Sequence, residues 1–83
     1  METAKKYTKD SIASILAALE DGEKYGTVLR AKGYVACEDG GWLHFDYVPG
    51  EPELRDGPAA VTGRLCVIGS KLDEQAIAAL FGA

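Results

Sequence analysis

From Thr8 the chain reads "TKDSIASILAALEDGE", which sets Ile12, Ile15, Leu16 and Leu19 three and four positions apart, along one face of a helix. Thr8 suits the N-cap, where its hydroxyl takes an otherwise unpaired first-turn amide. Asp10 lies near the positive end of the helix dipole, and Gly22 suits a left-handed helix end. The helical period then stops. Thr27 to Cys37 is rich in Val, Leu and Tyr and reads as a strand; "WLHFDYV" at 42–48 reads as the strand returning. Between them Asp39-Gly40 is the pair preferred by a two-residue type I′ turn, which needs positive φ at both positions. "PGEP" at 49–52 breaks the second strand, "ELR" at 53–55 suggests a short third one, and 56–63 is loop. "RLCVIGS" at 64–70 reads as another strand. The last helix has Ser70 as its N-cap and a buried stripe of Leu72, Ile77, Leu80 and Phe81.

The order helix, strands, helix, with short turns between the strands, predicts one α+β domain over residues 1–83. It is a two-layer sandwich: a mainly antiparallel sheet of three or four strands, with two helices on one face. The unusual part is the hairpin, because Arg30 and Lys32 interrupt its first strand and His44 and Asp46 its second. An even loop puts Ala31, Gly33, Val35 and Cys37 on one face with Trp42, His44, Asp46 and Val48. The other face then holds Arg30, Lys32, Tyr34 and Ala36 with Leu43, Phe45 and Tyr47. An odd loop or a bulge exchanges these partners. Neither face is uniformly apolar, so the pattern does not say which one meets the helices.

Composition narrows the class. A chain of 83 residues buries roughly 60–65% of the surface its unfolded form exposes, enough to fold alone with little to spare. No run of residues is long and apolar enough for a membrane span, and no signal peptide is visible at the start. Nine Lys and Arg against thirteen Asp and Glu give a net charge of −4, which disfavours nucleic acid as a partner. Two cysteines in a chain without a secretory signal are expected to remain thiols, and a cytoplasmic location follows from the same reasoning.

The chemistry is thin. No phosphate-binding loop, dinucleotide fingerprint, C-x-x-C or H-E-x-x-H is present, and His44 is the only histidine. With an even loop Cys37 shares a face with His44, so Cys37, His44 and Cys66 form a candidate metal set, the basis of an alternative reading as a freestanding metal- or ligand-binding domain. The set has no recognisable ligand spacing. The simpler reading keeps the cysteines as small strand hydrophobes and His44 as a packed ring with a hydrogen-bonded tip. Arg30 and Lys32 project from one side of their strand and are candidate anion or interaction contacts, though such cations are more often paired across the sheet. No catalytic residue is assigned, and an interaction or regulatory module is expected.

"YGTVLRAKGYV" (25–35), "WLHFDYVPGEPELR" (42–55) and "GRLCVIGSKLDEQAIAALF" (63–81), preceded by "YTKDSIASILAALEDG" (7–22), together resemble the C-terminal domain of the CobW family. The most telling piece is the R-x-K-G strand, here Arg30-Ala31-Lys32-Gly33. The resemblance implies a longer parent that pairs a P-loop GTPase domain with this smaller one and handles metal, in cobalamin biosynthesis or zinc allocation. GTP, Mg and zinc or cobalt then belong to the parent, whose nucleotide and metal motifs are absent from this chain. The implied partners are the nucleotide-binding domain and a client metalloprotein, with neither nucleic acid nor membrane. The family opens this domain with a strand ahead of the first helix; here Glu2–Tyr7 would supply it, or the sheet lacks a member and exposes an edge.

Overall fold

Thr8 does cap the first helix, α1 (Lys9–Ala18): its Oγ1 accepts the Ser11 N–H at 3.0 Å, and Ser11 Oγ accepts the Thr8 N–H at 3.0 Å. This reciprocal box satisfies two amides that a helix start otherwise leaves open. The far end differs from expectation. α1 closes at Leu19, and the Asp21 carboxylate accepts the Glu23 and Lys24 amides, which starts a second, short helix, α2 (Gly22–Tyr25). Gly22 therefore opens a helix instead of ending one. Local side-chain bonding by Asp21 prevailed over the glycine signal.

The computed structural model describes residues 1–82. Six strands form one sheet: β1 (Glu2–Thr3), β2 (Lys6–Tyr7), β3 (Thr27–Cys37), β4 (Trp42–Val48), β5 (Glu51–Asp56) and β6 (Gly63–Ser70). The order is β1-β6-β3-β4-β5, antiparallel throughout, with β2 joined parallel to the end of β3. The expected three or four strands thus become six. The extra pair comes from the N-terminal residues, which run along β6 and then step across to β3. β5 also begins earlier than "ELR", with Pro52 inside it; Pro52 faces Tyr47 on the sheet's edge strand, where a missing N–H costs no ladder bond on the open side. A third helix, α3 (Glu74–Phe81), starts after Asp73, whose carboxylate accepts the Ala76 N–H at 3.0 Å; Ser70, the expected cap, stays in β6.

The turn between β3 and β4 decides the faces. Cys37 donates its N–H to the Gly41 carbonyl at 2.8 Å and accepts the Gly40 N–H at 3.1 Å, which leaves Glu38, Asp39 and Gly40 as the loop. Gly40 takes φ +91°, while Asp39 does not enter the positive region and instead uses its carboxylate to accept the Gly41 N–H at 2.9 Å. A type I′ turn requires both residues at positive φ, so the loop has three residues and not two. The register follows: Ala31 faces Tyr47, Gly33 faces Phe45, Tyr34 faces His44 and Val35 faces Leu43. Odd positions pair with odd ones, the reverse of the even-loop grouping.

One set of alternating side chains is therefore almost wholly apolar. Ala31, Val35, Leu43, Phe45, Tyr47 and Leu65 join Ile12, Ile15, Leu16 and Leu19 of α1 and Ile77 and Phe81 of α3 in a single buried cluster. The Phe45 and Phe81 rings stack at 6.2 Å. Gly33 explains its place in the R-x-K-G run: a side chain there would strike the Arg64 carbonyl and the Phe45 ring, so the close approach of β6 to β3 depends on glycine. A bulge lies near the start of β3, where the register with β6 shifts between Val28 and Arg30. Tyr47 is the exception in this core, since its hydroxyl is buried without a hydrogen-bond partner. Burial, and then the charge of Glu20, push its ionisation upward. Among the described residues no helix is long and apolar enough to cross a membrane.

Candidate functional site

The other set of alternating positions forms the opposite face of the sheet, and nearly everything polar in the hairpin lies there. Reading across from β6 to β5, the register makes two polar rows. One holds Cys66, Lys32, Asp46 and Glu53; the next holds Arg64, Tyr34, His44 and Arg55, with Glu2 of β1 beside Arg64. Ile68, Val48 and Leu29 add exposed apolar surface at one end. The face gathers five of the nine cations (Lys6, Arg30, Lys32, Arg55, Arg64) with four of the thirteen carboxylates (Glu2, Asp46, Glu51, Glu53). It is thus locally cationic on a chain of net charge −4.

Most of these charges are held. Arg30 reaches diagonally to Asp46 and bonds both carboxylate oxygens, Nε at 3.3 Å and Nη2 at 3.0 Å. That hydrogen bond is the main reason the Asp46 carboxyl titrates below its usual range, with the charges of Arg30, Arg55 and Lys32 adding to it. The same pairing raises Arg30. The side chains are 50% and 31% exposed, so the pair orders the face more than it stabilises the fold. Arg64 pairs with Glu2 at 3.0 Å and Arg55 with Glu53 at 3.5 Å. Lys32 sits directly across from Asp46, but Arg30 already occupies both of its oxygens. Among the described residues no carboxylate lies within ion-pair distance of Lys32.

Three rings stand at the centre of this face. Tyr34 stacks on His44 with centroids 5.4 Å apart and lies 6.5 Å from Trp42. His44 donates from Nε2 to the Pro58 carbonyl at 3.1 Å, an arrangement that places a proton on Nε2, and Gly57 leaves room for the ring. Next to the rings a shallow concavity of about 620 Å³ opens over Gly33, walled by Lys32, Tyr34, His44, Arg64 and Cys66.

The proposed metal residues do not converge. Cys37 lies on the helix-facing side, half-buried, its thiol pushed up chiefly by burial and then by Asp39 and Asp56. His44 and Cys66 share the opposite face, but β3 runs between their strands. The three-residue loop is the cause, since it moved His44 to the face opposite Cys37. Among the described residues no group of three or more His, Cys, Asp or Glu is placed to hold a metal ion. The chain's own residues therefore do not fit the zinc or cobalt implied for a parent protein. Arg30 and Lys32 share a face as expected. The sequence reading missed Arg64 and Arg55 as their companions and its even-loop grouping set His44 and Asp46 on the other face, because those residues meet Arg30 and Lys32 only through cross-strand register.

The family model described as "Cobalamin synthesis protein cobW C-terminal domain" matches residues 4–83. No curated protein sequence matches the chain. The fold is similar to that in the crystal structure of the Zn(II)-bound YjiA GTPase from E. coli, with a TM-score of 0.75 and 23% sequence identity, covering 99% of this chain and 27% of that one. At this identity the likeness is one of fold. The chain spans about a quarter of the length of that GTPase.

Proposed function

Because this chain belongs to the family of CobW C-terminal domains, we propose that it is the accessory domain of a GTP-dependent metallochaperone, serving contacts between domains or with a client protein in metal delivery. The observation that carries this reading is the family match across residues 4–83 of a sequence that holds no phosphate-binding loop. GTP, Mg and the transported zinc or cobalt then belong to the nucleotide-binding domain, and this chain has no catalytic role of its own. The cationic, ring-centred face is the surface suited to the contact: its arginines are held in place and its rings are half-buried. Interface centres favour such aromatic and Arg side chains. Nucleotide would act by favouring one arrangement of the two domains, which this face then reads.

The test combines this chain with a CobW-family P-loop domain and measures association and GTP turnover. The expected outcome is no turnover by this chain alone, and an association whose affinity differs by about fivefold or more between GTP and GDP. Arg30→Glu is expected to weaken that association. GTP cleavage by the isolated chain, or an affinity indifferent to nucleotide and to Arg30→Glu, would reject the reading.

A further inference from the structure

Of the cations on β3, β5 and β6 that face away from the core, Arg30, Arg55 and Arg64 each hold a carboxylate, and only Lys32 holds none among the described residues. Lys32 is also the one on the wall of the concavity nearest the middle of the sheet, with Cys66 on one side and Asp46 on the other. Its natural partner by register, Asp46, is withheld by two bonds to Arg30. An ammonium in this position keeps three donors and a full charge for an incoming group. The arginines beside it add positive potential, yet their fixed carboxylates Glu2, Glu53 and Asp46 also line or flank the hollow. Those carboxylates repel a ligand of high charge density such as a polyphosphate or a nucleic acid strand. They tolerate a single carboxylate delivered to one point.

We propose that the hollow over Gly33 is a docking socket for an acidic segment of a partner protein, with an Asp or Glu side chain ion-pairing to Lys32 while the adjoining chain packs on Tyr34 and His44. The claim builds on the reading of this domain as a contact module and specifies the chemistry of what it contacts. Local charge complementarity selects the occupant: although the molecule is acidic overall, this socket holds the one cation of β3, β5 and β6 on this face that has no carboxylate of its own among the described residues. The stacked rings supply flat apolar area next to the charge, the combination that gives an anchor residue its hold.

The experiment uses the whole 83-residue chain, labelled with nitrogen-15 and titrated with an acetylated, amidated hexapeptide that carries one glutamate among neutral residues, followed by amide shifts. Saturable shifts are expected at Lys32, Gly33, Tyr34 and Cys66. They should weaken about tenfold in Lys32→Gln, return in Lys32→Arg and be unchanged in Lys9→Gln. The spectrum of each variant outside the patch reports that it is folded. The proposal is overturned if the single-glutamate peptide gives no saturable shift, if Lys32→Gln binds it as the native chain does, or if oligothymidylate or inorganic phosphate saturates the same amides more tightly. None of these failures touches the nucleotide-dependent association described above, which is read from a different complex.

Discussion

The two faces of the same sheet are built from alternate residues of the same strands, yet they are held in different ways. On the helix-facing side Val35, Leu43, Phe45 and Leu65 are no more than 3% exposed and interlock with α1 and α3. On the opposite side Arg30 with Asp46, Arg64 with Glu2 and Arg55 with Glu53 meet in water, and the rings of Tyr34, Trp42 and His44 gather beside them, half-buried. Removing apolar area from water is worth roughly 25 cal/mol per Å², whereas exposed ion pairs contribute little. Stability therefore resides on one face. The other is free to be shaped for contact, because substitutions at exposed positions generally cost little stability.

The sharpest way to break this contrast is Phe45→Ala. Deleting a ring buried to 1% and stacked on Phe81 should cost about 3–5 kcal/mol in a urea unfolding experiment, enough to leave a domain of this size barely folded. A loss below about 1 kcal/mol would mean that the core is elsewhere. Tyr47→Phe probes the one polar flaw on the same face. Since the hydroxyl has no partner, removing it should leave stability unchanged or raise it by about 1 kcal/mol, and the high-pH limb of unfolding should move upward. A clear loss of stability would reveal a partner for that oxygen.

The smallest effect is expected across the sheet. Asp46 has a depressed pKa in the folded chain, so its contribution is present above the ordinary carboxylate range and is lost as pH falls through the folded value. Asp46→Asn should match the native melting temperature closely at pH 7. Below about pH 4 it should lose less on further acidification than the native chain does. A large deficit at neutral pH would show the exposed pair to be structural and would blur the contrast between the faces.

Some of this was legible before folding and some was not. The apolar spacing of Ile12, Ile15, Leu16 and Leu19 and the cap at Thr8 located α1, and the span 42–48 of β4 was read from its alternation and flanking breakers. Helix ends were less legible: Asp21 and Asp73 captured nearby amides, an outcome that depends on backbone geometry more than on residue type. The N-terminal strands were hard to read because two residues each carry no period.

The sequence alone determined which stretches are amphipathic, and so which of the longer elements exist, because burial rewards side chains that recur with the period of the backbone they sit on. It also resembled one family in the right order of pieces. Only the tertiary structure decided which polar residues became neighbours. That choice turned on a loop of three residues instead of two, set by the φ of Asp39 and Gly40, which no hydrophobic pattern records. One residue of loop length moves every side chain of a paired strand to the other face. In this chain it parted His44 from Cys37 and set it instead beside Tyr34, on the face that carries Lys32.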